Sequence, residues 1–118
     1  MFFGLLKGSR SHADFKKGKS YPLTDNLPCT VSIPAVPEHR HILSKIIWSY
    51  NGAPTNGRLI VSDGGIVVLD IDITVGGPGI LTLNPEVMFV NSIMVVTLYA
   101  AGSGIYGKLN FSYTTERV

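Results

Sequence analysis

The sequence predicts an all-β fold, an antiparallel β-sandwich of jelly-roll-like type with an extended N-terminal arm. Three observations carry the prediction. Short runs rich in β-branched and aromatic residues recur from residue 28 to the end. Clusters of Gly, Pro, Asn and Asp separate those runs at the spacing of sandwich strands. No segment holds a helical period that outweighs its β-branched content.

Residues 1–27 hold five basic side chains, scattered Gly and Ser and no sustained period, so they read as an arm outside the core. Residues 28–118 form the sandwich domain, with Cys29 to Val36 as its first strand. The run Arg40 to Tyr50 follows, with Ile42, Ile46, Trp48 and Tyr50 on one face and His41, Lys45 and Ser49 on the other. Two Asn-Gly pairs and Pro54 make residues 51–57 a loop.

The strongest hairpin signal is Asp63-Gly64-Gly65, flanked by Arg58 to Ser62 and Ile66 to Thr74. A period of two demands that core-facing positions oppose one another. A three-residue loop satisfies this by pairing Val61 with Val67, Leu59 with Leu69 and Arg58 with Asp70. Leu59, Val61, Val67, Leu69 and Ile71 then face the core, and Arg58 and Asp70 form a cross-strand ion pair. The Gly76-Gly77-Pro78-Gly79 run reads as a breaker, and Ile80 to Leu83 as a short strand ended by Asn84-Pro85. Ser92 to Ala100 is almost continuously apolar, as in a strand buried on both faces, and Lys108 to Thr115 alternates with Leu109, Phe111 and Tyr113 inward. This makes about seven strands. Periodicity alone does not choose between jelly-roll and immunoglobulin-like wiring.

At 118 residues the chain is the size of one domain, able to bury a core without a disulfide or metal staple. Charged residues are only 15% and hydrophobic ones 45%, a balance that favours surface buried in an assembly. The net charge of +2 is uneven, because Lys7, Arg10, Lys16, Lys17 and Lys19 face only Asp14 within the first 20 residues. The lone Cys29 permits no intramolecular disulfide. The apolar start, Met1 to Leu6, is too short for a signal sequence and its positive charges follow rather than precede it. No stretch approaches the length of a membrane span.

Motifs for chemistry are few. Gly102-Ser103-Gly104-Ile105-Tyr106-Gly107 spells G-x-G-x-x-G, but a strand follows where a dinucleotide site needs a helix. Asp70 and Asp72 share one strand face, where Arg58 makes an ion pair the better reading than an acid/base pair. His39 and His41, with Cys29 and His12, match no zinc spacing. Asn110-Phe111-Ser112 has the form of a glycosylation acceptor but sits inside a strand. Aromatic and basic residues do not interleave in the strands, which argues against a nucleic-acid platform. No catalytic, cofactor or metal site is expected.

Residues 39–115 resemble small virion proteins of tailed bacteriophages. The resemblance lies in Ser49 to Val61, Asp63-Gly64, Asp70-Ile71-Asp72-Ile73-Thr74, Gly77-Pro78-Gly79, and Val96 to Gly102 running into Gly107-Lys108-Leu109-Asn110. It covers about two thirds of the chain and concerns turns and strands rather than a site. It implies a capsid decoration or cement protein, assembled in the host cytoplasm, that binds the major capsid protein as a homotrimer on the shell surface. The alternative is a receptor- or carbohydrate-binding sandwich of a tail or fibre. In the decoration reading the arm supplies the capsid and oligomer contacts: Phe2, Phe3, Leu5, Leu6, Phe15 and Tyr21 as apolar anchors, and Lys7, Arg10, Lys16, Lys17 and Lys19 for acidic shell surface.

Overall fold

The computed structural model describes residues 15–118. Eight strands and no helix occur among them: β1 (Lys16–Ser20), β2 (Cys29–Ile33), β3 (His39–Tyr50), β4 (Gly57–Asp63), β5 (Ile66–Ile73), β6 (Gly77–Val90), β7 (Met94–Leu98) and β8 (Gly107–Arg117). They form two four-stranded antiparallel sheets, the first in the order β1-β8-β3-β6 and the second β2-β7-β4-β5. The wiring is that of one long hairpin rolled up. Strand β1 pairs with β8, β2 with β7, β3 with β6 and β4 with β5, and successive pairs alternate between the sheets. The β3–β8 and β4–β7 ladders complete each sheet. This is the double Greek key of a jelly roll.

The eighth strand corrects the arm boundary. Residues 16–20 are hydrogen-bonded along β8, so Lys16, Lys17 and Lys19 belong to the folded sheet rather than to a reaching arm. Five residues, KKGKS, carry no apolar period because β1 is an edge strand whose inward position is a glycine. An ideal Cβ on Gly18 would lie 2.0 Å from the Phe111 ring, which occupies the space a side chain would take. At the other edge, Trp48 covers Gly79 of β6 in the same way, with a Cβ there 2.3 Å from the indole. Residues 76–79 therefore do not break the chain: β6 starts at Gly77, and Pro78 is tolerated on an edge strand. The strand also continues through the cis Asn84–Pro85 bond to Val90.

The hairpin register differs from the sequence expectation. Gly64 and Gly65 both have positive φ and form a two-residue turn, with Asp63 opposite Ile66 and Ser62 opposite Val67. A bulge at Val68 then restores parity, so Val61 meets Leu69, Leu59 meets Ile71 and Arg58 meets Asp72. Val67 falls on the turn side of the bulge and is 52% exposed rather than in the core. A similar irregularity between Leu43 and Lys45 changes which residues of β3 face inward. His41 and Leu43 lie on the core side with Ile46 and Tyr50, while Ile42 is buried outside the main core cluster.

Leu59, Val61, Met94, Val96, Leu98, Leu109, Phe111 and Phe89 fill the space between the sheets, each at most 2% exposed. Strand β7 alternates buried and half-buried residues, so Val95 and Thr97 face outward instead of being sealed on both sides. His41 closes one end of the sandwich. Its Nδ1 lies 2.8 Å from Thr115 Oγ1, its Nε2 2.8 Å from the Pro34 carbonyl, and its ring stands edge-on to Tyr113.

Candidate functional site

The glycine-rich loop between β7 and β8 is fully engaged by its own protein. Gly102 N–H donates to Asn26, Gly104 N–H to Asp25 and Tyr106 N–H to Asn51. These amides are thus already capped, and strand β8 rather than a helix follows. Among the described residues, no three His, Cys, Asp or Glu side chains converge as metal ligands. His39 contacts the Pro37 carbonyl and His41 is clamped as above, while Cys29 is buried in the core. His12 lies outside the described residues, as do Phe2, Phe3, Leu5, Leu6, Lys7 and Arg10.

Arg58 and Asp70 are brought together on the outward face of the second sheet, although not as direct register partners. The guanidinium reaches diagonally past Asp72, with Nε and Nη2 donating to the two Asp70 oxygens at 2.7 and 2.6 Å. It also lies 5.4 Å over the Tyr99 ring. Hydrogen bonding from Arg58 holds the Asp70 carboxyl below its ordinary range. The resulting stabilisation is present above the ordinary Asp value and is lost as pH falls through the lowered one. Around this pair the outward face carries half-buried Ile60, Val95 and Thr97, with Val67 opposite Ser62, and Val68 in the bulge and Ile66 at the turn are exposed at the same end of β5.

The outward face of the first sheet has a different chemistry. Its ladders align Lys17, Ser112, Lys45 and Thr82 in one row across all four strands. The next row is Lys19, Asn110, Ile47 and Ile80, and the third contains Lys108, Ser49 and Pro78. These rows hold four lysines and no carboxylate. Glu116, bonded to Arg40, and Glu86, in the bulged part of β6, lie beyond them. Tyr21 donates to Asn110 Oδ1 at 2.5 Å, and Lys19 Nζ sits 5.9 Å from the Tyr21 ring centroid. Phe15, Lys17, Ser44, Lys45, Thr82 and Ser112 line an open cleft of about 460 Å³ on this face. Sequence reading missed it because its residues come from four separate strands. The period-two positions of Lys17, Lys19 and Lys45 were the available signal, and they became informative only once β1 was placed beside β8.

Two buried tyrosines make the fold sensitive to alkali. Burial pushes the Tyr50 hydroxyl up to about 12, and it donates to the Tyr99 carbonyl at 2.8 Å; burial raises Tyr113 as well. The folded chain therefore holds these protons more tightly than the unfolded one. Stability is full below pH of about 10 and falls as pH rises toward 12. Denaturant titrations between pH 9 and 12 are expected to show this loss, and Tyr50→Phe to make it shallower. An unchanged slope would exclude Tyr50 as a source.

No family model and no curated protein sequence matches this chain. Solved structures do align with it. A carbohydrate-binding module in complex with calcium and xylotriose aligns over 83% of this chain and 78% of its own, at 14% identity and TM-score 0.42. Dimeric latent PorU from Porphyromonas gingivalis aligns over 88% of this chain at 10% identity and TM-score 0.46. A ruminal endo-beta-1,4-mannanase aligns over 86% at 17% identity and TM-score 0.38. The chain spans only 13% and 20% of the latter two. Likeness at this level carries no ligand or activity across, and the strand order itself establishes the chain as a jelly-roll β-sandwich.

Proposed function

We propose that this chain is a virion structural protein of a tailed bacteriophage that works by binding, as a capsid decoration or cement protein joined to the major capsid protein. In this reading it assembles in the host cytoplasm and sits as a homotrimer on the shell surface. The supporting observation is the outward face of the second sheet. Val68, Val67 and Ile66 expose aliphatic surface on β5, whose outer edge has no strand partner among the described residues, beside Ile60, Val95 and the Arg58–Asp70–Tyr99 group. A patch of aliphatic and aromatic surface around a bidentate Arg suits contact with another copy. Residues 1–14, with Phe2, Phe3, Leu5, Leu6, Lys7 and Arg10, supply contacts to the shell. Each trimer bridging several capsid subunits would favour the closed shell by mass action.

Light scattering on the purified chain is expected to report a trimer of the 12.7 kDa subunit, and Val68→Asp to shift it to monomer. Stripped particles should regain wild-type heat resistance with the trimer and not with the variant. A monodisperse monomer at micromolar concentration, or equal protection by Val68→Asp, would overturn the reading. The lysine-lined cleft favours a second reading, a carbohydrate-binding sandwich on a tail or fibre.

A further inference from the structure

The outward face of the first sheet has the chemistry of a ligand site rather than of a solvated surface. Lys17 and Lys45 stand two strand spacings apart, roughly 10 Å between their backbones, with Ser112 between them and Thr82 beyond. Neither lysine is in an ion pair among the described residues, whose ion pairs join Arg40 to Glu116, Arg58 to Asp70 and Arg117 to Glu38. Ser44 Oγ donates to the Ser112 carbonyl at 3.0 Å, which fixes the bulge at the cleft floor. Phe15, 41% exposed, forms an apolar wall. Two lysines, three hydroxyl side chains and one aromatic wall thus line a concavity of ligand size.

We propose that this cleft binds an acidic saccharide, a sugar bearing carboxylate or sulfate groups, and that the remaining lysine rows guide its chain across the sheet. The ligand class rests on the second functional reading; the site itself rests on the geometry. A sugar ring offers C–H faces to Phe15, hydroxyls to Thr82 and Ser112, and its anionic group to Lys17 and Lys45. Lys19 and Lys108 continue the positive surface in the next two rows, which they share with Asn110, Ile47 and Ile80 and with Ser49 and Pro78. A single-stranded nucleic acid would need repeated aromatic platforms along its path, and among the described residues only Tyr21 beyond Phe15 is aromatic on this face, its hydroxyl tied to Asn110. An extended acidic peptide would use an open strand edge, whereas the cleft lies on a sheet face.

The test is a titration of the full chain, followed by calorimetry and by backbone amide shifts. The probes are an oligogalacturonate hexamer, a sulfated hexasaccharide, neutral xylohexaose and a charge-matched single-stranded DNA. Saturable binding of either acidic saccharide is expected, with shifts centred on Lys17, Ser44, Lys45, Thr82 and Ser112. Xylohexaose should give none. Lys45→Gln should weaken binding at least about tenfold, and Phe15→Ala about fivefold, with melting temperatures unchanged; Lys45→Gln also guards against loss of β1 in a Lys17 variant. Affinity should fall with added salt as the screening length shortens to about 8 Å near physiological ionic strength. Absence of binding, shifts elsewhere, or indifference to Lys45→Gln would overturn the site. Equal affinity for the DNA without dependence on Phe15 would reduce it to unspecific polyanion attraction. The Val68→Asp experiment reads the other sheet, so either proposal can fail without the other.

Discussion

A chain beginning at residue 21 is expected to melt at least about 12 °C below one beginning at residue 15, or to aggregate on expression. The difference between them is essentially β1. Losing it strips the ladder from one side of β8 and turns that strand into an open edge. It also uncovers Phe111, which packs over Gly18, and removes Ser20 from the Cys29 thiol. Uncovering part of two buried side chains and several ladder hydrogen bonds amounts to about 3–5 kcal/mol. That is a large share of the roughly 5–15 kcal/mol that holds a domain of this kind together. At about 4–8 °C per kcal/mol for a small domain, the shift is easily read by calorimetry. Equal melting of the two chains would show that residues 15–20 are an arm after all.

Phe111→Ala is expected to lower the unfolding free energy by about 3–5 kcal/mol, measured by urea titration. The ring is 2% exposed, lies on Gly18 and sits 5.9 Å from Tyr113 at a 37° tilt. Its loss opens a cavity between β8 and the second sheet and removes the cover of β1. The same geometry makes a sharper claim about coupling. Gly18→Ala forces the ring aside, since its Cβ would fall well inside contact distance of the phenyl carbons. In a Phe111→Leu background that penalty should shrink, and a double-mutant cycle should show an interaction energy above about 0.5 kcal/mol. Additive effects would mean that the two residues do not share the space.

The all-β class, the sandwich and the inward residues of β4 and β8 were legible in the sequence, because a period of two needs only local pattern to be read, whereas β7 was expected to be sealed on both faces and is not. Leu59, Val61, Leu109, Phe111 and Tyr113 are buried for that reason. Arg58 and Asp70 were recognisable as partners, since opposite charges near one hairpin end find each other despite a register shift. The register itself was not legible. Expecting strict alternation, the reading excluded a two-residue turn, while the protein uses that turn and corrects parity with a bulge at Val68. A bulge has no side-chain signature of its own; it exists because both the glycine turn and the core face must be satisfied at once.

Strand β1 and the Gly77–Gly79 start of β6 were hidden for a related reason. Edge strands need little apolar pattern of their own, since a neighbour's aromatic can fill the place above a glycine, as Phe111 does for Gly18 and Trp48 for Gly79. The sequence by itself determined which residues prefer extended structure and which must leave water. Only the tertiary structure decided that eight strands roll up as one long hairpin, and that Lys17, Ser112, Lys45 and Thr82 share a row. The physical reason is that neighbours in a sheet are set by long-range hydrogen bonding between segments far apart in the chain, and no local preference encodes that choice.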